Sequence, residues 1–288
     1  MRILLVISLL FCICHCFLAQ GVGELCKILT NLLHDADSQQ LYDLLDCDKM
    51  LSSCGTVLNR KCPHPWVVIV RDKKRKAEMC VGTLIDERHI ITAAHCFSQR
   101  YFLADDVHVG MGSQKAGQLT YIDLESFTLH PKYRNTGLAR HDVAVLTLKK
   151  KVWFTPCIQP ICIPGTATNP EKGELVTIVG FGRFWNKQRA RLQATVLPVI
   201  SREECVNIYP EVSALQHSIC AGLWSSISSS SVCHGNSGAP MMLQREYKWF
   251  LYAVSTSHRS CEEAVSVYID IPHYATWINS VKEHEQLS

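Results

Sequence analysis

The chain has 288 residues, of which 47% are apolar and 19% charged, a composition that excludes intrinsic disorder. Its 29 basic and 26 acidic residues leave a net charge of only +3, too little to bind nucleic acid through bulk electrostatics. Fifteen cysteines are too many for an ordinary cytosolic enzyme and point to an oxidising compartment or a metal-rich protein, which spacing must separate.

From the N-terminus, Met1–Arg2 precede the apolar run ILLVISLLFCICHCFLA. A positive start, an apolar run and a small residue form the pattern of a secretory signal peptide over residues 1–20. Cys12, Cys14 and Cys16 leave with it, and twelve cysteines remain, enough for six disulfides. No CxxC pair and no HExxH occurs, so no metal site is expected. No later stretch has the apolar length to span a bilayer. A secreted protein is expected, without membrane insertion once the signal is removed.

Residues 21–60 are acidic, with Glu24, Asp35, Asp37, Asp43, Asp46 and Asp48 against Lys27, Lys49 and Arg60. Leu25, Ile28, Leu29, Leu32 and Leu33 fall at helical spacing, and Leu41, Leu44 and Leu45 resume it after a break. The pattern predicts a small helical hairpin, with Cys26–Cys47 as a candidate staple. Forty residues are too few for an independent core, so docking on the rest of the chain is expected. A passive extension and a pro-segment or regulatory module both fit.

Residues 61–288 read as a separate domain. Short β-rich runs recur at 66–70, 81–94, 143–148, 175–182, 249–256 and 265–271, separated by turn residues. Helical patterning is confined mainly to 201–208 and to a final stretch from His273 to about Glu285. Many short strands predict an all-β barrel or sandwich. Arg71, Lys73, Lys74, Arg75 and Lys76 cluster between two of the β runs. They read as the tip of a hairpin: a solvated loop, or an exosite for an anionic partner or a nicking site.

Three motifs carry chemistry. Thr92-Ala93-Ala94-His95-Cys96 ends an apolar run, His141-Asp142 opens a buried strand, and Cys233-His234-Gly235-Asn236-Ser237-Gly238 sets a serine in a glycine-bounded turn. A serine hydroxyl is a weak nucleophile until an imidazole takes its proton. The imidazole needs a carboxylate to fix its tautomer and to stabilise its charged form. Glycines beside the serine let backbone N–H groups face a developing oxyanion, each worth about 3–4 kcal/mol of barrier. Each motif is weak alone; the three together, in the order His, Asp, Ser and beside cysteines, are specific.

On these residues the sequence resembles the chymotrypsin-like (trypsin-fold) serine endopeptidases over about residues 64–282. Pro65-Trp66 is similar to the family's first barrel strand, Gly180-Phe181-Gly182 to its Gly-Trp-Gly, and Tyr274-Ala275-Thr276-Trp277-Ile278 to its C-terminal helix. The resemblance implies a double six-stranded antiparallel β-barrel with a C-terminal helix. It implies His95 as general base, Asp142 as its orienter and Ser237 as nucleophile, with the N–H groups of Gly235 and Ser237 as oxyanion hole. It further implies that Ser255 hydrogen-bonds Asp142, and disulfides Cys80–Cys96, Cys205–Cys220 and Cys233–Cys261. Cys162 resembles the family cysteine that tethers a pro-segment, with Cys54 as partner, which leaves Cys62 for Cys157. No cofactor is implied. Protein or peptide substrates and protein inhibitors are the implied partners of a monomer.

The sequence departs from the family in two linked places. The stretch before Pro65, SSCGTVLNRKCPH, lacks the Ile-Val-Gly-Gly-like terminus that activation cleavage frees, and the residue before Ser237 is Asn236 rather than aspartate. A buried aspartate without its ammonium partner costs about 3–5 kcal/mol; asparagine removes that charge and keeps hydrogen-bonding capacity. An enzyme that needs no such cleavage is expected, with a catalytically inactive homologue acting as a binding or regulatory protein as the alternative. Ser231 stands where trypsin-like members carry an acid, and Ser257 and Ser266 stand where open pockets have glycine. With Ser255, these residues imply a pocket for a small or medium uncharged side chain; an acidic one is the alternative, through His234, Ser257 and His258.

Overall fold

The computed structural model describes residues 54–98, 102–134, 140–165, 169–181, 191–215, 217–222, 237–256 and 265–286. The expected signal peptide, the acidic segment to residue 53 and the candidate Cys26–Cys47 pair lie outside these. Among the described residues, twelve strands close into two six-stranded antiparallel barrels.

The first barrel contains β1 (Val67–Asp72), β2 (Ala77–Leu84), β3 (His89–Thr92), β4 (Val107–Met111), β5 (Thr120–Leu129) and β6 (Ala144–Leu148), in the order β1-β2-β3-β6-β5-β4. The second contains β7 (Leu175–Gly180), β8 (Gln193–Ile200), β9 (Ser218–Gly222), β10 (Pro240–Arg245), β11 (Lys248–Ser255) and β12 (Val265–Asp270), in the order β10-β11-β12-β9-β8-β7. Closure leaves no free sheet edge. The fold is the double barrel that the sequence predicts.

One core runs through both barrels. The nearly continuous apolar runs of β1 and β6 are buried on both faces, because each inner side chain fills its barrel while the outer ones meet other elements. Trp66 is fully buried and donates its indole N–H to Met242 Sδ on β10, 2.8 Å away, a direct bond between barrels.

Among the described residues there are three α-helices. α1 (His95–Ser98) follows β3. α2 (Arg202–Ile208) begins at Ser201, whose Oγ accepts the Glu204 N–H while Glu204 accepts the Ser201 N–H, a reciprocal capping box. α3 (Ala275–Gln286) closes the chain. Lys282 on α3 pairs with Asp86 at 2.8 Å, and Asp86 also accepts the backbone N–H groups of Arg88 and His89. Burial alone would push the Asp86 carboxyl up, but the bonds from His89 and Lys282 hold it well below the usual carboxylate range. The turn between β2 and β3 thereby anchors the final helix.

Residues 54–62 are strapped onto the barrels. Cys54 is bonded to Cys162 and Cys62 to Cys157. Gly55 donates to Pro160 O and accepts from the Trp249 N–H. A Cβ at Gly55 would lie 2.4 Å from Trp249 O, and its φ of +74° is left-handed, so glycine is required here. Residues 54–60, which the sequence groups with the N-terminal segment, therefore pack on the barrel domain.

The basic cluster is the β1–β2 hairpin tip, as expected, but four of its five charges already have side-chain partners or an acid nearby. Lys73 pairs with Asp123 at 2.7 Å and Lys74 with Asp106 at 2.6 Å, and Arg75 lies 4.0 Å from Asp72. Arg71 bonds Tyr121 Oη and Lys76 O. This favours the solvated loop over an anion-binding exosite.

Candidate active site

Strand register explains how residues 47 apart meet. Thr92, the last residue of β3, pairs with Ala144, the first of β6. His95 lies three residues past one end and Asp142 two before the other, so antiparallel pairing carries both to the same end of the first barrel. Asp142 is fully buried. Its Oδ1 accepts the His95 backbone N–H at 2.8 Å, and its Oδ2 lies 2.7 Å from His95 Nδ1.

A third bond to Asp142 corrects the sequence reading. Thr256 Oγ1, not Ser255, donates to Asp142 Oδ2. Ser255 ends β11 with its hydroxyl buried and without a partner among the described residues. Its backbone still helps, since its carbonyl accepts the Gly238 N–H and its N–H donates to Ala239 O. Successive side chains on a strand face opposite ways, so only one of these adjacent hydroxyls can reach the acid.

The segment before Asp142 is held from the C-terminal side. His141 is left-handed, with φ of 51°, a conformation that needs outside support in a non-glycine residue. Its Nδ1 bonds Tyr274 Oη at 3.0 Å, and its ring stacks on His130 at 4.9 Å. His130 in turn meets Tyr274 and Trp277 edge-on. Burial, with the charges of nearby His141 and Lys132, lowers His130 to about 4, and burial likewise lowers His141. Both rings are neutral near pH 7. Sequence reasoning missed this support because His130 and Tyr274 are 144 residues apart with no shared motif.

Ser237 is placed across the barrel interface. Its carbonyl accepts the Val81 N–H on β2 at 2.9 Å. The neighbouring Cys80 is bonded to Cys96, the residue after His95. Gly238 has φ of +78°, and a Cβ there would lie 2.3 Å from both Thr92 Oγ1 and Val81 O. Only glycine permits so close an approach of the serine turn to β2 and β3. Ser266, on β12, is buried in register with Ala221, and Ser255 pairs with Tyr268 on the same strand. Gly235, Ser231, Ser257, His234, His258 and the pair Cys233–Cys261 lie outside the described residues. The disulfides Cys54–Cys162, Cys62–Cys157, Cys80–Cys96 and Cys205–Cys220 are present as the resemblance implied.

Burial works against a charged His95, but the hydrogen bond and the charge of Asp142 outweigh it and raise its pKa. The imidazole is thus primed to hold a proton that it acquires. Among the described residues, Cys80, His95 and Cys96 form one tight group of metal-ligating types. Two of those sulfurs are bonded to each other, so they offer no thiolate.

A double antiparallel barrel with a His–Asp pair at one end of the first barrel, and with the Ser237 backbone packed on β2 of that barrel, is the architecture of the chymotrypsin-like serine proteases. Residues 55–278 match the family described as Trypsin, and the chain belongs to that family. It is similar to CLIP domain-containing serine protease B9 of Anopheles gambiae, 28% identical over 247 residues, covering 76% of this chain and 60% of the relative. CLIP domain-containing serine protease B10 of the same mosquito is 28% identical over 239 residues, covering 74% and 65%. Phenoloxidase-activating factor 1 of Holotrichia diomphalia is 28% identical over 261 residues, covering 81% and 70%. The chain spans about 60–66% of the length of the first three curated relatives it matches. No helix among the described residues is long and apolar enough to cross a membrane.

Proposed function

We propose that this protein is a secreted serine endopeptidase that cleaves peptide bonds through an acyl-enzyme. The observation that carries the reading is the His95–Asp142 pair, with its 2.7 Å bond at Nδ1 and 2.8 Å backbone bond. The Nδ1 proton held toward Asp142 leaves Nε2 to accept the Ser237 hydroxyl proton and later to deliver it to the leaving amine. The Ser237 and Gly235 N–H groups stabilise the tetrahedral oxyanion. Ser231, Ser255, Ser257 and Ser266 shape a pocket without an acid, which disfavours substrates with Arg or Lys before the scissile bond. The protein acts as a monomer on protein or peptide substrates, is open to protein inhibitors, and needs no cofactor. Its organisation is a signal peptide to residue 20, an N-terminal segment, and a protease domain to the C-terminus.

A second reading has its own observation. Asn236 precedes Ser237, and the stretch ahead of Trp66 is held by Cys54–Cys162 and Cys62–Cys157. Pinning restrains any ammonium that cleavage would free in this stretch from reaching the oxyanion hole, so an inactive homologue that binds without turnover also fits.

A fluorophosphonate probe on secreted protein, with Ser237→Ala as control and no activating protease, separates the two. Stoichiometric labelling of the parent alone is the expected result. Silence of the parent, persisting after limited proteolysis, overturns the enzyme reading in favour of the binding protein.

A further inference from the structure

Among the described residues, Leu103, Trp153, Leu175, Val196 and Tyr247 are large apolar side chains left to solvent. Trp153 is 89% exposed and follows the run Lys149, Lys150 and Lys151 after one buried residue, Val152. Lys151 pairs with Glu87 at 2.9 Å. Lys149 and Lys150 are exposed, and no carboxylate among the described residues lies within ion-pair distance of either. Lys149 acts on Asp123 only at longer range, and an exposed tryptophan beside three lysines, one of them paired, is a surface suited to an acidic, apolar partner.

We propose that residues 21–53 of this same chain dock on the Trp153–lysine surface. Charge is the first reason: the segment carries Glu24, Asp35, Asp37, Asp43, Asp46 and Asp48 against Lys27 and Lys49. Its leucines at helical spacing are the second, since so short a segment cannot cover its own apolar face. A tryptophan side chain offers about 150–250 Å² to such a face.

Connectivity is the third reason. The segment ends at Cys54, which is bonded to Cys162. Cys162 lies on the crossover that joins the barrels and also carries Trp153 and Cys157. Eight residues of chain lie between Trp153 and Cys162, a span of at most about 30 Å. A segment tethered so near its target reaches an effective concentration on the order of millimolar without any strong contact. The other exposed apolar side chains fit worse. Leu103 is near Asp105 and Asp106, Leu175 follows Glu174, Tyr247 lies between Glu246 and Lys248, and Val196 has no basic residue within three positions; none has a run of lysines beside it. Docking at Trp153 is independent of whether the protein turns over substrate.

The test uses the full secreted chain at low concentration and a zero-length carbodiimide, which joins a lysine to a carboxylate only in direct contact. Amide links from Lys149 or Lys150 to Asp35, Asp37, Asp43, Asp46 or Asp48, within one molecule, are expected. In Trp153→Ser the yield should fall about fivefold, and amide exchange over 25–48 should speed about tenfold. Trp153 is exposed, so the melting temperature of the barrels should not change. Links from residues 35–48 to other lysines, links only between two copies, no links at all, or exchange unmoved by Trp153→Ser would each overturn the proposal.

Discussion

In the first barrel, one strand pair is enough to bring His95 to Asp142: Thr92 opposite Ala144 places both side chains at one rim. In the second barrel, the serine turn is shaped from outside. The Ser237 carbonyl is held by Val81, and Gly238 fits only because it has no Cβ to meet Thr92 and Val81. The second barrel repays the contact, since the β10–β11 pairing carries Thr256 to Asp142. The His95–Asp142 pair is therefore local to one barrel, whereas Ser237, the proposed nucleophile, depends on how two barrels dock. Damage to the interface should disable the serine before it disturbs the histidine.

The largest effect tests the division itself. Ser237→Ala should abolish probe labelling and lower peptide turnover by about five orders of magnitude or more, while melting stays near that of the parent.

Gly238→Ala sharpens the interface claim. A Cβ 2.3 Å from two oxygens, at a left-handed φ, should lower unfolding free energy by about 3 kcal/mol. Labelling should be lost even at temperatures where the barrels remain folded. Denaturant titration beside labelling checks both, and a labelled Gly238→Ala protein would break the comparison.

Thr256→Val probes the bond that crosses between barrels. Removing one of the two donors to Asp142 Oδ2 should lower kcat/KM about tenfold, and Thr256→Ser should restore most of it. Without that donor the carboxylate holds the imidazolium more tightly, so the acid limb of the pH profile should move upward. A merely structural role would leave that limb in place.

pH should act on the two sets of histidines with opposite sign. His95 is raised, so turnover should develop above the ordinary histidine value of about 6.5. Its contribution to stability is present below that value and is lost as pH rises through the folded pKa. His130 and His141 are lowered. Below about 6.5 the unfolded chain takes up protons that these rings refuse, so their stabilisation is lost as pH falls toward 4. Denaturant midpoints from pH 4.5 to 8 read this, with His130→Phe expected to flatten the acid side.

The smallest effect is expected at the hairpin tip. Lys74→Ala removes an exposed ion pair and should leave melting within about 2 °C.

Legibility in the sequence followed side-chain patterning. β1, β6, β11 and β12 announce themselves as runs of β-branched and aromatic residues, because they are buried on both faces. β5 does not: in TYIDLESFTL, Asp123 and Glu125 face solvent and only Leu124 is fully buried, so no apolar run marks it. The bounds of α2 and α3 were close to expectation because capping and helical spacing are local. Asp142, His95 and Ser237 were legible as motifs, since each has distinctive neighbours.

By itself, the sequence determined the residue types, their order, the all-β class and the cysteines available for pairing. These follow from composition and from contacts a few residues apart. Only the tertiary structure decided that Thr256 rather than Ser255 bonds Asp142, that Tyr274 and His130 hold His141, and that Lys73 and Lys74 of the hairpin tip are already paired. Each of these joins residues far apart in the chain, where strand register and a one-residue change of facing select the partner. Local patterning carries no record of that choice.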